Sequence, residues 1–205
     1  MKSSLTHHSW TLIEPTHESN AHPRAAIYVN NSIISASSYE TIYIPSSDAT
    51  AISIKLQNSE PMLLINIYNA KNSNLIAEIC PYIRNHLLTN RYGLVLIGGD
   101  FNLHHPLWNP QVCHTQDYKA EELIEFMALL GLSPMLPAGT ITFPRANMAI
   151  DLVWGNNRLE QGIIKCKISK KDDYGSDYLP IQTIVNLQPH RYEVSYQPYN
   201  YDKTN

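Results

Sequence analysis

The stretch Leu94-Val95-Leu96-Ile97-Gly98-Gly99-Asp100-Phe101-Asn102 decides how this chain is read. Four aliphatic residues in a row suit a central strand buried on both faces. The two glycines that follow let the backbone turn sharply or approach another segment closely. Asp100 and Asn102 then stand two apart, so at a strand end both side chains can point to one side. A carboxylate there can orient a water molecule or help hold a hard cation, and an amide can bond a phosphate oxygen. The same residues also suit an ordinary polar turn.

Strands are expected on both sides of this stretch. Residues 25–29, 41–44 and 51–56 are short, rich in β-branched residues and Tyr, and separated by turn formers, which suggests an antiparallel meander. Residues 62–68 form a second near-continuous apolar run and a second central strand. Between the central strands, Leu75, Ile79, Ile83 and Leu87 recur every four residues, a helical stripe over residues 74–88 that Pro81 should split or kink. A second helix is capped by Asp117, carries Leu123, Ile124, Met127 and Leu130 on its apolar face, and stops at Gly131. Later strands fall at residues 140–143, 149–154, 163–168 and 182–187. Strands outnumber helices and run in groups, so the pattern favours an α+β sandwich over a doubly wound sheet.

Two further segments place acidic residues at strand edges. Asp151 lies within Ala149-Ile150-Asp151-Leu152-Val153-Trp154, where an unpaired buried carboxylate is costly and needs a partner or a metal. Asp177 lies in Gly175-Ser176-Asp177-Tyr178-Leu179-Pro180-Ile181, a loop entering the last strand. Three such positions together point to a phosphate-and-metal site more strongly than any one alone.

Composition narrows the classes. The chain has 205 residues, 43% hydrophobic and 16% charged, enough for a real core. No aliphatic run approaches a membrane span, and the first ten residues lack the apolar stretch of a secretory signal, so an intracellular protein is expected. Cys80, Cys113 and Cys166 are far apart and give neither a disulfide framework nor a zinc knuckle. A net charge of −3 argues against a protein whose sole task is gripping nucleic acid.

Gly99-Asp100-Phe101-Asn102, Ile150-Asp151-Leu152-Val153-Trp154 and Gly175-Ser176-Asp177-Tyr178-Leu179-Pro180-Ile181 resemble, in order and spacing, the three C-terminal motifs of the endonuclease/exonuclease/phosphatase superfamily. The longer string through Leu103-His104-His105-Pro106-Leu107-Trp108, with Asn66-Ile67-Tyr68-Asn69 upstream, is similar to the endonuclease domains of LINE-type (non-LTR) retrotransposons, particularly fungal ones. The resemblance implies a four-layer αββα sandwich of the DNase I-like kind and Mg²⁺- or Mn²⁺-dependent hydrolysis of DNA phosphodiesters. By motif, Asp100 would orient the attacking water and Asn102 would position the phosphate. Tyr68 would donate its hydroxyl to that phosphate. Asp177, with Asp100, would belong to the metal shell. Asp151 would orient the family's catalytic histidine. A linked reverse transcriptase and a nuclear location are implied as well. Residues 1–188 would form the domain and residues 189–205 a tail resembling the linker toward the polymerase.

Two departures stand out. The family's third motif reads Ser-Asp-His, and here Tyr178 holds the histidine position. A tyrosine hydroxyl, with a pKa near about 10, donates a hydrogen bond but supplies no cation. The family also opens with one strand bearing Asn and another ending in a metal-binding Glu. This sequence reads as beginning after both, since Glu14 and Glu18 sit in loop-like sequence, and an exposed sheet edge is expected. The rival expectation is a catalytically impaired remnant that interacts with nucleic acid. His104 and His105 are adjacent, which disfavours zinc, and Trp108 is expected to pack. Lys165 and Lys167 should share one strand face.

Overall fold

The computed structural model describes residues 9–16, 22–112, 117–169, 175–187 and 189. In chain order its elements are β1 (Trp10–Ile13), β2 (Ile27–Asn30), β3 (Tyr39–Ile42), β4 (Ala49–Leu56), β5 (Ser59–Tyr68), α1 (Leu75–Thr89), β6 (Leu94–Asp100), α2 (Tyr118–Leu129), β7 (Leu132–Pro134), β8 (Asp151–Asn156), α3 (Asn157–Gly162), β9 (Ile163–Ile168) and β10 (Ile181–Val185). Cys113, His114, Glu18 and residues 190–205 of the expected tail lie outside the described residues.

Six strands form the central sheet in the order β3-β4-β5-β6-β8-β7. β5 and β6 are parallel, with α1 as the crossover between them, and the other neighbours are antiparallel. The β4–β5 hairpin turns at Asn58, whose φ of 55° suits a tight hairpin loop. α1 and α2 cover one face of the sheet. There Ile79, Ile83, Leu123 and Met127 pack on Leu63, Ile65, Val95 and Ile97. Asp117 Oδ1 accepts from the Lys119 backbone N–H at 3.0 Å, and Gly131 follows α2 with φ of 67°, so cap and stop are as expected.

A second β layer lies over the other face and is carried by two antiparallel pairs, β1–β2 and β9–β10. Ile13, Ile27 and Val29 pack on Ile52, Ile54 and Met62, and Val185 and Leu187 on the same cluster. An open apolar groove of about 1030 Å³ runs along this face, with β2 and β10 among its walls and Leu64, Leu96 and Gly98 in its lining. Leu64 and Leu96 are therefore only half-buried, whereas their neighbours Leu63 and Ile97 are fully buried against the helices.

Several expectations are corrected. The strand expected at residues 25–29 does not join a meander, because β2 pairs with β1 in the second layer. β5 and β6 are fully covered on one face only. α1 runs unbroken through Pro81, which stands on the exposed side where the freed carbonyl can meet water. Residues 140–143 are not a strand. They form a loop closed by an isolated Phe143–Met148 bridge, ahead of a 3₁₀ turn at Pro144–Ala146. Asp151 is not inside its strand but is the first residue of β8.

Candidate active site

Three of the expected residues form one row across the central sheet. Tyr68 on β5 is the Cα partner of Asp100 on β6, and Asp100 is the Cα partner of Asp151 on β8. Directly opposed residues share a face. The neighbours Ile67 and Leu152 belong to the helix-side core, so the two-residue period turns the row toward the groove face. The two ladders fit because β6 runs antiparallel to β8, so the end of one strand meets the beginning of the other.

Gly99 makes the junction possible. Its φ is 142°, and a Cβ there would sit 1.9 Å from the Ile67 carbonyl oxygen. Gly98 meets only ordinary contacts, the nearest at 3.5 Å. Beyond Asp100 the chain reverses at Asn102, whose φ is 50° and whose N–H donates to Asp100 Oδ1 at 3.1 Å. Asn102 Nδ2 donates to the Asn69 carbonyl at 3.0 Å. Asn69 is 2% exposed and ties the turn from below. Its N–H donates to the Asp100 carbonyl at 2.7 Å and its Nδ2 to the Phe101 carbonyl at 2.7 Å.

Asp151 is held by Thr142, a fully buried residue whose Oγ1 accepts from the Ile150 and Asp151 N–H groups, both at 3.1 Å. Asp151 Oδ2 is buried with no protein partner. Burial pushes the Asp151 carboxyl up to about 6, Thr142 opposes the shift, and the Asp100 charge adds to it. Burial also raises Asp100, against the hydrogen bonds from Asn102.

The exposed Ser176–Tyr178 loop lies beside the Asp151 end of the row. Leu179 N–H donates to the Thr142 carbonyl at 2.8 Å, and the Tyr178 ring lies against Phe143 with centroids 5.1 Å apart. Burial raises the Tyr178 hydroxyl, with further increments from Asp100, Asp151, Tyr68 and Asp177. Tyr178 therefore stands in the field of the whole row and stays neutral. Asp177 is exposed and receives a 2.9 Å bond from Arg145 Nε.

Among the described residues no three His, Cys, Asp or Glu side chains gather into a metal cage. The donors present still fit a hard cation. Mg²⁺ commonly takes one or two carboxylates and completes its shell with water and substrate oxygens, and the unpartnered Asp151 Oδ2 beside Asp100 offers such oxygen ligands.

The neighbouring histidines have structural partners. Leu107 N–H donates to His105 Nδ1 at 3.0 Å, so His105 Nε2 carries the proton and donates to Glu121 Oε1 at 2.9 Å. Trp108 is buried, donates to the Leu103 carbonyl at 3.1 Å and stands edge-on to Trp154. The sequence assigns no role to Thr142, Arg145 or the Arg24–Asp48 pair, and Asn69 stands in it only as the last residue of the Asn66–Asn69 string; Arg24 and Asp48 carry no signal in their spacing.

A six-stranded sheet with helices on one face, a second β layer on the other and a carboxylate row at one strand end is the architecture these elements build. The chain belongs to the endonuclease-reverse transcriptase family, whose model matches residues 62–182. No curated protein matches its sequence. Among solved structures it is similar to the endonuclease domain of TRAS1, a telomere-specific non-LTR retrotransposon. That likeness has a TM-score of 0.66 at 17% identity, covering 88% of this chain and 81% of that one. It is also similar to the AP endonuclease LMAP from Leishmania major, with a TM-score of 0.63 at 13% identity, covering 90% and 72%. A third likeness is to the 3′ phosphatase NExo from Neisseria bound to product DNA hairpin, with a TM-score of 0.59 at 13% identity, covering 87% and 80%. At these identities the likeness establishes the DNase I-like fold.

Proposed function

We propose that this chain binds DNA across the Tyr68–Asp100–Asp151 row and hydrolyses a phosphodiester there, slowly. The observation that carries the reading is the row itself: two carboxylates and a phenol on adjacent strands, with Asn102 and Tyr178 beside them. Asp100 Oδ accepts a proton from the attacking water and orients it. Asn102 and Tyr68 donate to non-bridging phosphate oxygens. Asp151 completes the row with an unpartnered Oδ2 beside Tyr178, the position the family's histidine would hold, and the leaving oxygen takes its proton from water. A Mg²⁺ or Mn²⁺ ion, held by Asp100 with a neighbouring carboxylate, would supply Lewis-acid charge when bound. Asp177 joins that shell only when Arg145 releases it.

Tyr178 accounts for the slowness, because a neutral hydroxyl replaces the family's imidazole against developing phosphoryl charge. In this reading residues 1–188 act as the nuclease domain beside a reverse transcriptase, which the family description supports, and the same reading carries a nuclear location. No helix among the described residues is long and apolar enough to cross a membrane.

Nicking of supercoiled plasmid in Mg²⁺ tests the proposal. Weak nicking that disappears in Asp100→Ala is expected. If neither the chain nor Tyr178→His shows Asp100-dependent nicking, hydrolysis is excluded. The second reading, a binding module without turnover, would then take its place, as the neutral Tyr178 favours.

A further inference from the structure

Two arginines outside the row each pair with a carboxylate near one of its ends. Arg24 precedes β2. Its Nε donates to Asp48 Oδ1 at 2.6 Å, and its Nη2 bonds Asp48 Oδ2 in a bidentate pair. Asp48 is 8% exposed, so the anchor is buried, while half of the Arg24 side chain stays open to solvent. The guanidinium lies 4.8 Å over the Tyr68 ring, and the Asp48 carbonyl accepts the Tyr68 N–H at 2.8 Å. At the other end, Arg145 stands on the Pro144–Ala146 turn and bonds Asp177, next to Tyr178 and close to the Thr142 loop that supports Asp151.

The Arg24–Asp48 pair is more than a surface ion pair, while Arg145 keeps its Nη groups on an exposed side chain beside Tyr178. A buried carboxylate that fixes one edge of a planar guanidinium leaves its other edge preoriented toward solvent, the geometry in which Arg binds phosphate oxygens. The row between the arginines is acidic and repels a polyanion, so something must offset it. Tyr68 and Asp151 are two strand spacings apart, about 10 Å, which leaves room for a central phosphate with one neighbour on either side.

We propose that Arg24 and Arg145 form a two-sided clamp on the nucleic-acid backbone, each gripping a phosphate that flanks the one over Asp100. The clamp rests on the nucleic-acid reading of the row. A strand held this way runs across β5, β6 and β8 rather than along the apolar groove.

The test measures binding of a short DNA duplex in EDTA by fluorescence anisotropy over a NaCl series, without turnover. Each phosphate contact contributes about 0.9 to the slope of log K against log salt. Arg145→Gln should lower the slope by about that amount. Arg24→Gln leaves Asp48 buried without its partner, so the charge-neutral pair Arg24→Gln/Asp48→Asn is measured too and should lower the slope equally. Arg84→Gln, an exposed change on α1 with the same charge loss as Arg145→Gln, should leave it unchanged. An unmodified chain with no salt-dependent affinity sinks the nucleic-acid reading and the clamp with it. If the chain binds with a clear slope that survives either the Arg145 change or the paired Arg24 change, the clamp alone is overturned.

Discussion

Asp100 and Asp151 face each other across the β6–β8 ladder, and the burial they share raises both carboxyls. Two acids on one rung of a sheet cannot both ionise without cost. The site answers this by setting them apart, with Asp151 at about 6 and Asp100 bonded by its own turn.

That difference has a stability signature. A carboxyl whose folded pKa exceeds its unfolded value stabilises the native state fully below the unfolded value, near about 4. The contribution is lost as pH rises through about 6. The gap of about two pH units corresponds to roughly 3 kcal/mol at most. Asp151→Asn, neutral throughout, should unfold in urea at higher concentration than the parent near pH 8. The advantage should shrink by about 2–3 kcal/mol near pH 4. An advantage independent of pH would contradict the burial of Asp151.

The two glycines before Asp100 should respond differently. A Cβ on Gly99 would collide with the Ile67 backbone, whereas one on Gly98 meets the Leu152 carbonyl at 3.5 Å. Gly99→Ala should cost several kcal/mol, on the order of 4 or more, or prevent folding. Gly98→Ala should stay within about 1 kcal/mol. Thermal melts of both variants decide the matter, and equal losses would place the close approach elsewhere.

Tyr178→His returns an imidazole to the neighbourhood of the unpartnered Asp151 Oδ2. Nicking should rise by about 10²-fold. The new rate should follow a pH profile with a titration near the histidine range, which the parent lacks. An unchanged rate with an unchanged profile would show that position 178 does not reach the reacting phosphate.

Thr142→Val keeps the shape of a fully buried residue but removes the acceptor for two backbone N–H groups. Each donor left unsatisfied costs about 1–3 kcal/mol. A loss of roughly 2–5 kcal/mol in urea unfolding is expected, together with weaker nicking as Asp151 loses its support. Stability within about 0.5 kcal/mol of the parent would mean that water replaces the hydroxyl.

The parts of this molecule legible in its sequence are those with a short-range physical signal. α2 was readable from Asp117, its apolar face and Gly131, because capping and periodicity are local. β6 and its acidic end were readable because a buried strand cannot carry Gly-Gly-Asp except at a close approach. β1, β7 and α3 were not, since their short segments gain their conformation from neighbours. The Thr142 loop reads as a strand because Thr, Ile and Phe favour extended backbone, while the hydroxyl bonds that decide its path are tertiary. Arg24 and Asp48 meet only when β2 and the β3–β4 loop are both in place, and no spacing rule connects them.

The row of Tyr68, Asp100 and Asp151 is drawn from strands interrupted by both long helices. No local hairpin contains any two of its members. Such pairings close large loops and form late on the way to the native state. A nascent or partly collapsed chain therefore lacks the assembled row, however much helix it has made. Opening of the β6–β8 ladder alone disperses the row again, so the proposed hydrolysis would be confined to molecules that have finished folding.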